Sequence, residues 1–156
     1  MINIVLVHPE IPQNTGNIGR ICVNMDAKLH LVKPLGFEIT QKEVKRAGLD
    51  YWDKLDLTLW ESLDELLASI DMHKHNCFFA TTKTDQNYFS VQIKEGDYIF
   101  FGSESKGLPS ELLQANKQNC ITIPMGKNGR SLNLSVSVGI IAYDAIRQNI
   151  GSFQRG

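Results

Sequence analysis

Ile2-Asn-Ile-Val-Leu-Val7, followed by Asn14-Thr-Gly-Asn-Ile-Gly-Arg20 and a helical pattern from Ile18 to Met25, decides the fold class: an apolar run, a polar glycine-bearing junction, then a helix. The same order recurs along the chain. Leu29 to Val32, Leu55 to Trp60, Cys77 to Thr82, Tyr98 to Gly102 and Cys120 to Pro124 are further short apolar runs with strand character. Gln41 to Ala47, Leu63 to Ile70, Ser110 to Ala115 and a C-terminal segment reaching Gln148 read as helices, and Leu63 to Ile70 opens behind Ser62 and Glu65 at capping-box spacing. Strands alternating with helices imply an α/β fold, a mostly parallel sheet with helices on both faces.

With 156 residues, 42% of them hydrophobic, the chain is long enough for one compact domain spanning 1–156 and too short for two ordinary ones. It holds no internal repeat, low-complexity tract or linker. Cys22, Cys77 and Cys120 lie far apart without a C-x-x-C pair, so the reading is three small buried residues in a reducing cytoplasm, with neither disulfide framework nor zinc site. The N-terminus lacks a basic n-region and a cleavage site, and no apolar run approaches the roughly 20 residues of a membrane span. A soluble cytoplasmic protein is expected, in which the sequon Asn133-Leu-Ser135 carries no glycosylation meaning.

A net charge of −1 argues against a protein that coats nucleic acid through its overall field, so any polyanion must meet a local basic patch. Lys42, Lys45 and Arg46 share one segment; Arg20, Lys83, Lys106, Lys127 and Arg130 are scattered near the junctions. No G-x-G-x-x-G follows the first strand, and Gly126-Lys-Asn-Gly-Arg-Ser131 is not a P-loop, which argues against a Rossmann dehydrogenase or a kinase. His73-Lys-His75 has no carboxylate or cysteine at ligand spacing, so no metal is expected, and no Ser/His/Asp or Cys/His constellation stands out.

Three strand-to-loop junctions remain: Pro12 to Arg20, Phe101 to Pro109 and Ile123 to Ser135. In parallel α/β sheets ligands bind beyond the carboxyl ends of the strands, where glycines let the backbone come close. Converging, these loops would form a cleft for a small heteroaromatic or ribose ligand, with Asn14, Arg20, Glu104, Arg130, Ser131 and Asn133 as its polar complement. The segment after the third junction is ambiguous. Leu132 to Val138 alternates with period two, yet Gly139 to Arg147 looks helical; periodicity splits the region, and a helix buried on most sides also accounts for it.

With these residues quoted, the chain resembles the SPOUT superfamily of knotted RNA methyltransferases, and within it the TrmL-like (YibK) tRNA (cytidine/uridine-34) 2′-O-methyltransferase family, over nearly its full length. The motifs that carry the resemblance are Asn14-Thr-Gly-Asn to Arg20, Phe101-Gly-Ser-Glu to Gly107-Leu-Pro, and Ile123-Pro-Met to Arg130-Ser-Leu-Asn-Leu-Ser, in that order. Pro9-Glu-Ile-Pro and Arg46-Ala-Gly-Leu-Asp-Tyr51 mark the narrower family. The resemblance implies a C-terminal deep trefoil knot, an exception to the rule that chains are not knotted, and a final helix beginning near Ser131. It also implies a homodimer through that helix.

The implied reaction is transfer of methyl from S-adenosyl-L-methionine to the ribose 2′-hydroxyl of the wobble nucleotide 34 in a tRNA anticodon stem-loop. By motif position the cofactor-binding residues are Ala80, Thr81, Gly102, Glu104, Gly107, Ile123, Met125, Ser131 and Leu132. The catalytic set is Arg20, Asn14, Glu104, Ser131 and Asn133, and RNA would meet Arg20, Lys42, Lys45, Arg46, Lys106 and Arg130. A guanidinium, with a pKa above about 12, suits orientation and charge stabilisation better than the general-base role sometimes given to the family's arginine. Val136 stands where a polar residue is expected, and Lys106 where relatives often carry Arg. Methylation of another RNA such as rRNA, or a non-catalytic knotted RNA-binding protein, are the alternatives.

Overall fold

The computed structural model describes residues 1–153, and for residues 48–50 the backbone alone. Six strands, Asn3–Val7 (β1), Lys28–Val32 (β2), Leu57–Trp60 (β3), Cys77–Ala80 (β4), Tyr98–Phe101 (β5) and Cys120–Ile121 (β6), form one sheet in the order β3-β2-β1-β5-β4-β6. Every pairing between these strands is parallel. Helices Pro12–Asn24 (α1), Lys42–Gly48 (α2), Leu63–Ser69 (α3), Ser110–Ala115 (α4) and Leu134–Gln148 (α5) complete the fold.

Alternation along the strands divides the core in two. Ile4, Leu6, Leu29, Leu31, Ile99 and Phe101 join Ile18 and Cys22 of α1 and Val138, Ile141, Ala142 and Ala145 of α5 on one face. Val5, Val7, Val32, Phe79 and Phe100 join Leu66 of α3 and Leu113 of α4 on the other. Successive strand residues point to opposite faces, so both must be apolar when both are covered. This is the doubly covered parallel sheet that the sequence implies. The three cysteines are buried and free, and burial pushes the Cys22 thiol up to about 12 and that of Cys77 to about 11, out of the reactive range.

Several boundaries differ from the sequence reading, and three of the differences bear on the junctions. Helix α1 starts at Pro12 rather than Ile18. Proline at the first helical position has its φ already set, while the polar and glycine residues that follow hide the helix from periodicity; Asn14, Thr15 and Gly16 are nevertheless buried. Strand β6 stops at Ile121 because the next residue turns to another partner: Thr122 N–H donates to the Gln86 carbonyl, and its own carbonyl accepts from Tyr88 N–H. Helix α5 begins at Leu134, not near Ser131, because Asn133 caps it through a side chain that accepts from the Ser135 and Val136 amides. Ser131 and Leu132 are thereby left in a loop. At α3, Ser62 Oγ accepts from Glu65 N–H at 3.1 Å as the capping spacing predicts.

His30 fills a polar slot in β2, accepting from Trp60 Nε1–H at Nδ1 (3.0 Å) and lying 2.9 Å from Asn3 Oδ1 through Nε2. Since Asn3 Oδ1 only accepts, the proton sits on Nε2 and the ring is neutral. Burial, reinforced by the Lys28 charge, depresses its pKa from 6.5 to about 4. The unfolded chain therefore binds the extra proton between those values. The contribution of this site is complete above pH 6.5 and is lost as pH falls toward 4, at a cost of about 2 kcal/mol by pH 5. Urea unfolding at pH 7 and pH 5 checks this: replacing His30→Gln should shrink the wild-type stability difference between the two by about that amount.

Candidate active site

The chain builds outward from β1 to β2 and β3 on one side and returns to place β5 beside β1 on the other, so the strand order reverses between β1 and β5. Connections leaving adjacent strands at such a point diverge and open a crevice. A cavity of about 500 Å³ lies there. Ala80 at the end of β4 and Thr81 beyond it, Gly102, Glu104 and Gly107 after β5, Ile123 and Met125 after β6, and Ser131 and Leu132 before α5 all line it. These are the nine residues expected to hold the cofactor, gathered from four segments. Asn14, Asn133 and Lys106 line it too.

A directed chain of hydrogen bonds holds the three junctions together. The Glu104 carboxylate accepts from Glu10 N–H and Ile11 N–H, both at 2.8 Å, and from Asn14 Nδ2 at 3.2 Å. Because a carboxylate only accepts, Asn14 must turn its amide nitrogen to Glu104 and its oxygen outward. That oxygen accepts from Asn133 Nδ2 at 3.1 Å, leaving the Asn133 oxygen to cap α5 through Ser135 N–H at 2.9 Å. One acidic group thus fixes two amides and a helix start. In return Glu10 accepts from Ser105 N–H and Oγ, and these bonds hold its carboxyl below the usual carboxylate range.

Glu104→Gln tests this polarity, because a single amide oxygen cannot serve donors on both carboxylate oxygens. The expected result is a loss of about 1 kcal/mol in chemical denaturation, discounted for the exposure of the carboxylate, and cofactor affinity weaker by about 10-fold in calorimetry. Unchanged affinity would show that the chain does not set the cavity's shape.

Two glycines shape the loop after β5. A Cβ on Gly102 would lie 2.0 Å from the Gly107 carbonyl carbon and 2.1 Å from Leu108 N. Gly107 has φ +70°, in the left-handed region, and its N–H returns to the Ser103 carbonyl at 3.0 Å. The loop therefore closes on itself with main chain against main chain, exposing its edge to the cavity.

Arg20 stands elsewhere. Six residues beyond Asn14, about 9 Å along α1, it is outside the cavity lining; its Nη2 donates to the Ala47 carbonyl at 3.0 Å, and its Cζ lies 5.5 Å from the centre of the Tyr51 ring. Lys42, Lys45 and Arg46 are exposed on α2 around the buried Val44, and Arg130 is exposed on the loop before α5. The expected RNA-contacting residues thus form an α2 group near Arg20, with Lys106 in the cavity wall and Arg130 on the adjoining loop. Among the described residues no group of three metal-ligating side chains occurs, and no helix is long and apolar enough to cross a membrane. Sequence reasoning does not single out the bracing role of Glu10, and it names Lys83 only as one of several cations near the junctions, not as part of the cavity. A brace between residues 95 apart leaves no local pattern, and an isolated lysine resembles any surface charge.

Comparison with known proteins agrees with this architecture. The model of the SpoU rRNA methylase family matches residues 1–143. A Listeria innocua protein is 47% identical over 150 residues, covering 94% of this chain and 87% of its own length. A Methylovorus glucosotrophus protein named tRNA (cytidine(34)-2′-O)-methyltransferase is 43% identical over 150 residues, covering 96% of each chain. A solved structure presented as structural insight into the 2-OH methylation of C/U34 on tRNA superposes with a TM-score of 0.92 at 42% identity, over 97% of both chains.

Proposed function

The chain belongs to the SpoU rRNA methylase family, and from that premise we propose that it is a tRNA (cytidine/uridine-34) 2′-O-methyltransferase working as a single domain over residues 1–156. The methyl donor is S-adenosyl-L-methionine and the acceptor is the ribose 2′-hydroxyl of nucleotide 34 in the anticodon loop. The observation that carries the reading is the convergence of all nine expected cofactor residues on one cavity at the strand-order reversal.

The residues present fit the cofactor. Ile121, Ile123, Leu132 and Ile141 give apolar walls for a flat heteroaromatic ring, while the loop ends at Ala80, Gly102 and Ile123 offer main-chain donors and acceptors beside them. Bound there, S-adenosylmethionine supplies a methyl group on a sulfonium centre. Glu104 is occupied by three donors and serves as a brace, not as a base. Asn14 and Asn133 keep the first and third junctions at fixed separation, and Ser131 borders the cavity from the loop before α5. Arg20 meets the RNA from outside the cavity, orienting the 2′-oxygen or a neighbouring phosphate and stabilising negative charge as it develops. Lys42, Lys45 and Arg46, with Lys106 and Arg130, grip the anticodon stem-loop through its phosphates.

In this reading the segment leading into α5 threads a loop to form the trefoil knot, with the cofactor held inside it. The enzyme is a cytoplasmic homodimer joined through α5, whose Val136 and Tyr143 are exposed together with Leu132 and Ile150 at its two ends. Such an apolar strip is suited to a symmetric contact between copies.

The test is transfer of labelled methyl from S-adenosylmethionine to tRNA lacking the modification, followed by mapping of the labelled nucleotide. Label on ribose 34 supports the proposal. Label only on rRNA moves the substrate assignment, and absence of cofactor binding would leave a non-catalytic RNA-binding protein.

A further inference from the structure

The proposed role of Arg20 raises the question of what aims a long, flexible cation that lies outside the cofactor cavity. Two neutral groups do so. The Ala47 carbonyl takes one guanidinium N–H at 3.0 Å, and the Tyr51 ring lies against the guanidinium, 5.5 Å from its Cζ to the ring centre. A carbonyl dipole and an aromatic quadrupole orient a cation without neutralising it, whereas a carboxylate would compete with an incoming phosphate for its charge. The ring, not the hydroxyl, is the working part: the Tyr51 hydroxyl makes no hydrogen bond to any described residue.

The packing next to this pair explains its register. A Cβ built on Gly19 would meet the Trp52 ring at 3.2 Å, so the absence of a side chain at 19 lets the 3₁₀ turn Leu49–Lys54 settle on α1. Gly19 against Trp52 places Arg20 against Tyr51, with neighbouring residues on each side in contact. Ala47 lies in the last turn of α2, the helix that exposes Lys42, Lys45 and Arg46, and Tyr51 lies in the 3₁₀ turn that continues from it.

We infer that Tyr51 is a positioning residue for methyl transfer, and that the α2 segment couples RNA docking to the aim of Arg20 through Tyr51 and the Ala47 carbonyl. This rests on the proposed role of Arg20. An RNA phosphate drawn to Lys42, Lys45 or Arg46 binds the same continuous helix and turn that hold the guanidinium, so grip and aim are set together.

The experiment compares the full-length Arg20→Ala, Tyr51→Leu and Tyr51→Phe variants in single-turnover methyl transfer at saturating tRNA and S-adenosylmethionine, alongside equilibrium binding of each ligand. Tyr51→Leu should slow the transfer step by about 10-fold, with cofactor affinity unchanged and tRNA affinity within about 2-fold, while Tyr51→Phe retains the wild-type rate. Nitrogen-15 spectra of the guanidinium provide a readout independent of turnover: the Arg20 Hε signal should be shifted upfield by the ring current in wild type and in Tyr51→Phe. Full activity of Tyr51→Leu beside an inactive Arg20→Ala would overturn the inference alone, as would a slow Tyr51→Phe or the absence of that shift in wild type. Full activity of Arg20→Ala would instead overturn the reading on which it rests.

Discussion

Arg20→Ala is expected to lower the rate of methyl transfer by about 100-fold or more while leaving S-adenosylmethionine affinity unchanged. The separation of effects follows from geometry, since Arg20 sits on the outer side of α1, against α2, and contributes nothing to the cavity lining. Arg20→Lys should recover part of the rate, because an ammonium keeps the charge but loses the planar fork that grips a phosphate or an oxyanion at two points. Methyl-transfer kinetics beside calorimetric titration of the cofactor decide the matter. A loss of cofactor affinity in the alanine variant would mean that Arg20 acts through the cavity wall. A limiting pKa in the pH–rate profile that follows the Arg20→Lys exchange would restore the general-base view.

The second large effect is at Gly102. Adding one methyl group there drives it to 2.0 Å from the main chain of Gly107, and main chain cannot rotate aside as a side-chain tip can. The loop must open, breaking the Gly107 N–H bond to Ser103 and displacing the Glu104 carboxylate that braces Asn14. Gly102→Ala should therefore lose about 3 kcal/mol of stability, a fall of roughly 6–12 °C in Tm for a chain of this size, together with measurable cofactor binding. Thermal unfolding with and without S-adenosylmethionine measures both at once. Wild-type stability and a normal ligand-induced rise in Tm would show that the Phe101–Pro109 loop is softer than its packing indicates.

Much of this molecule was legible in the sequence because its central strands β1, β4 and β5 are buried on both faces and read as short apolar runs. Helix α4 falls where the sequence puts it, and α3 starts where expected and ends one residue early. Legibility failed where function required unusual local chemistry. Asn14, Thr15 and Gly16 are poor advertisements for a helix, yet α1 runs through them from Pro12, with all three buried and Asn14 bonded to the other two junctions. Ser131 to Asn133 were expected inside a helix, but Asn133 is needed as a cap and as a partner of Asn14, and this delays α5 until Leu134. The expected cofactor residues came together because a parallel sheet gathers its loops at one edge. Nothing local in the sequence could place Arg20 under Tyr51, since that contact depends on how the turn after α2 settles against Gly19.

The bonds that complete the site span most of the chain: Asn14 to Asn133 across 119 positions, Asn14 to Glu104 across 90. During synthesis, then, the first junction emerges from the ribosome with its partners still unmade, and it remains an open cleft until the last helix has been translated and docked. Methyl-donor capture is consequently a report on completion. A chain interrupted just before residue 133 carries all six strands and the first two junctions complete but has no means of closing them, so capture of the methyl donor cannot run ahead of the closing helix.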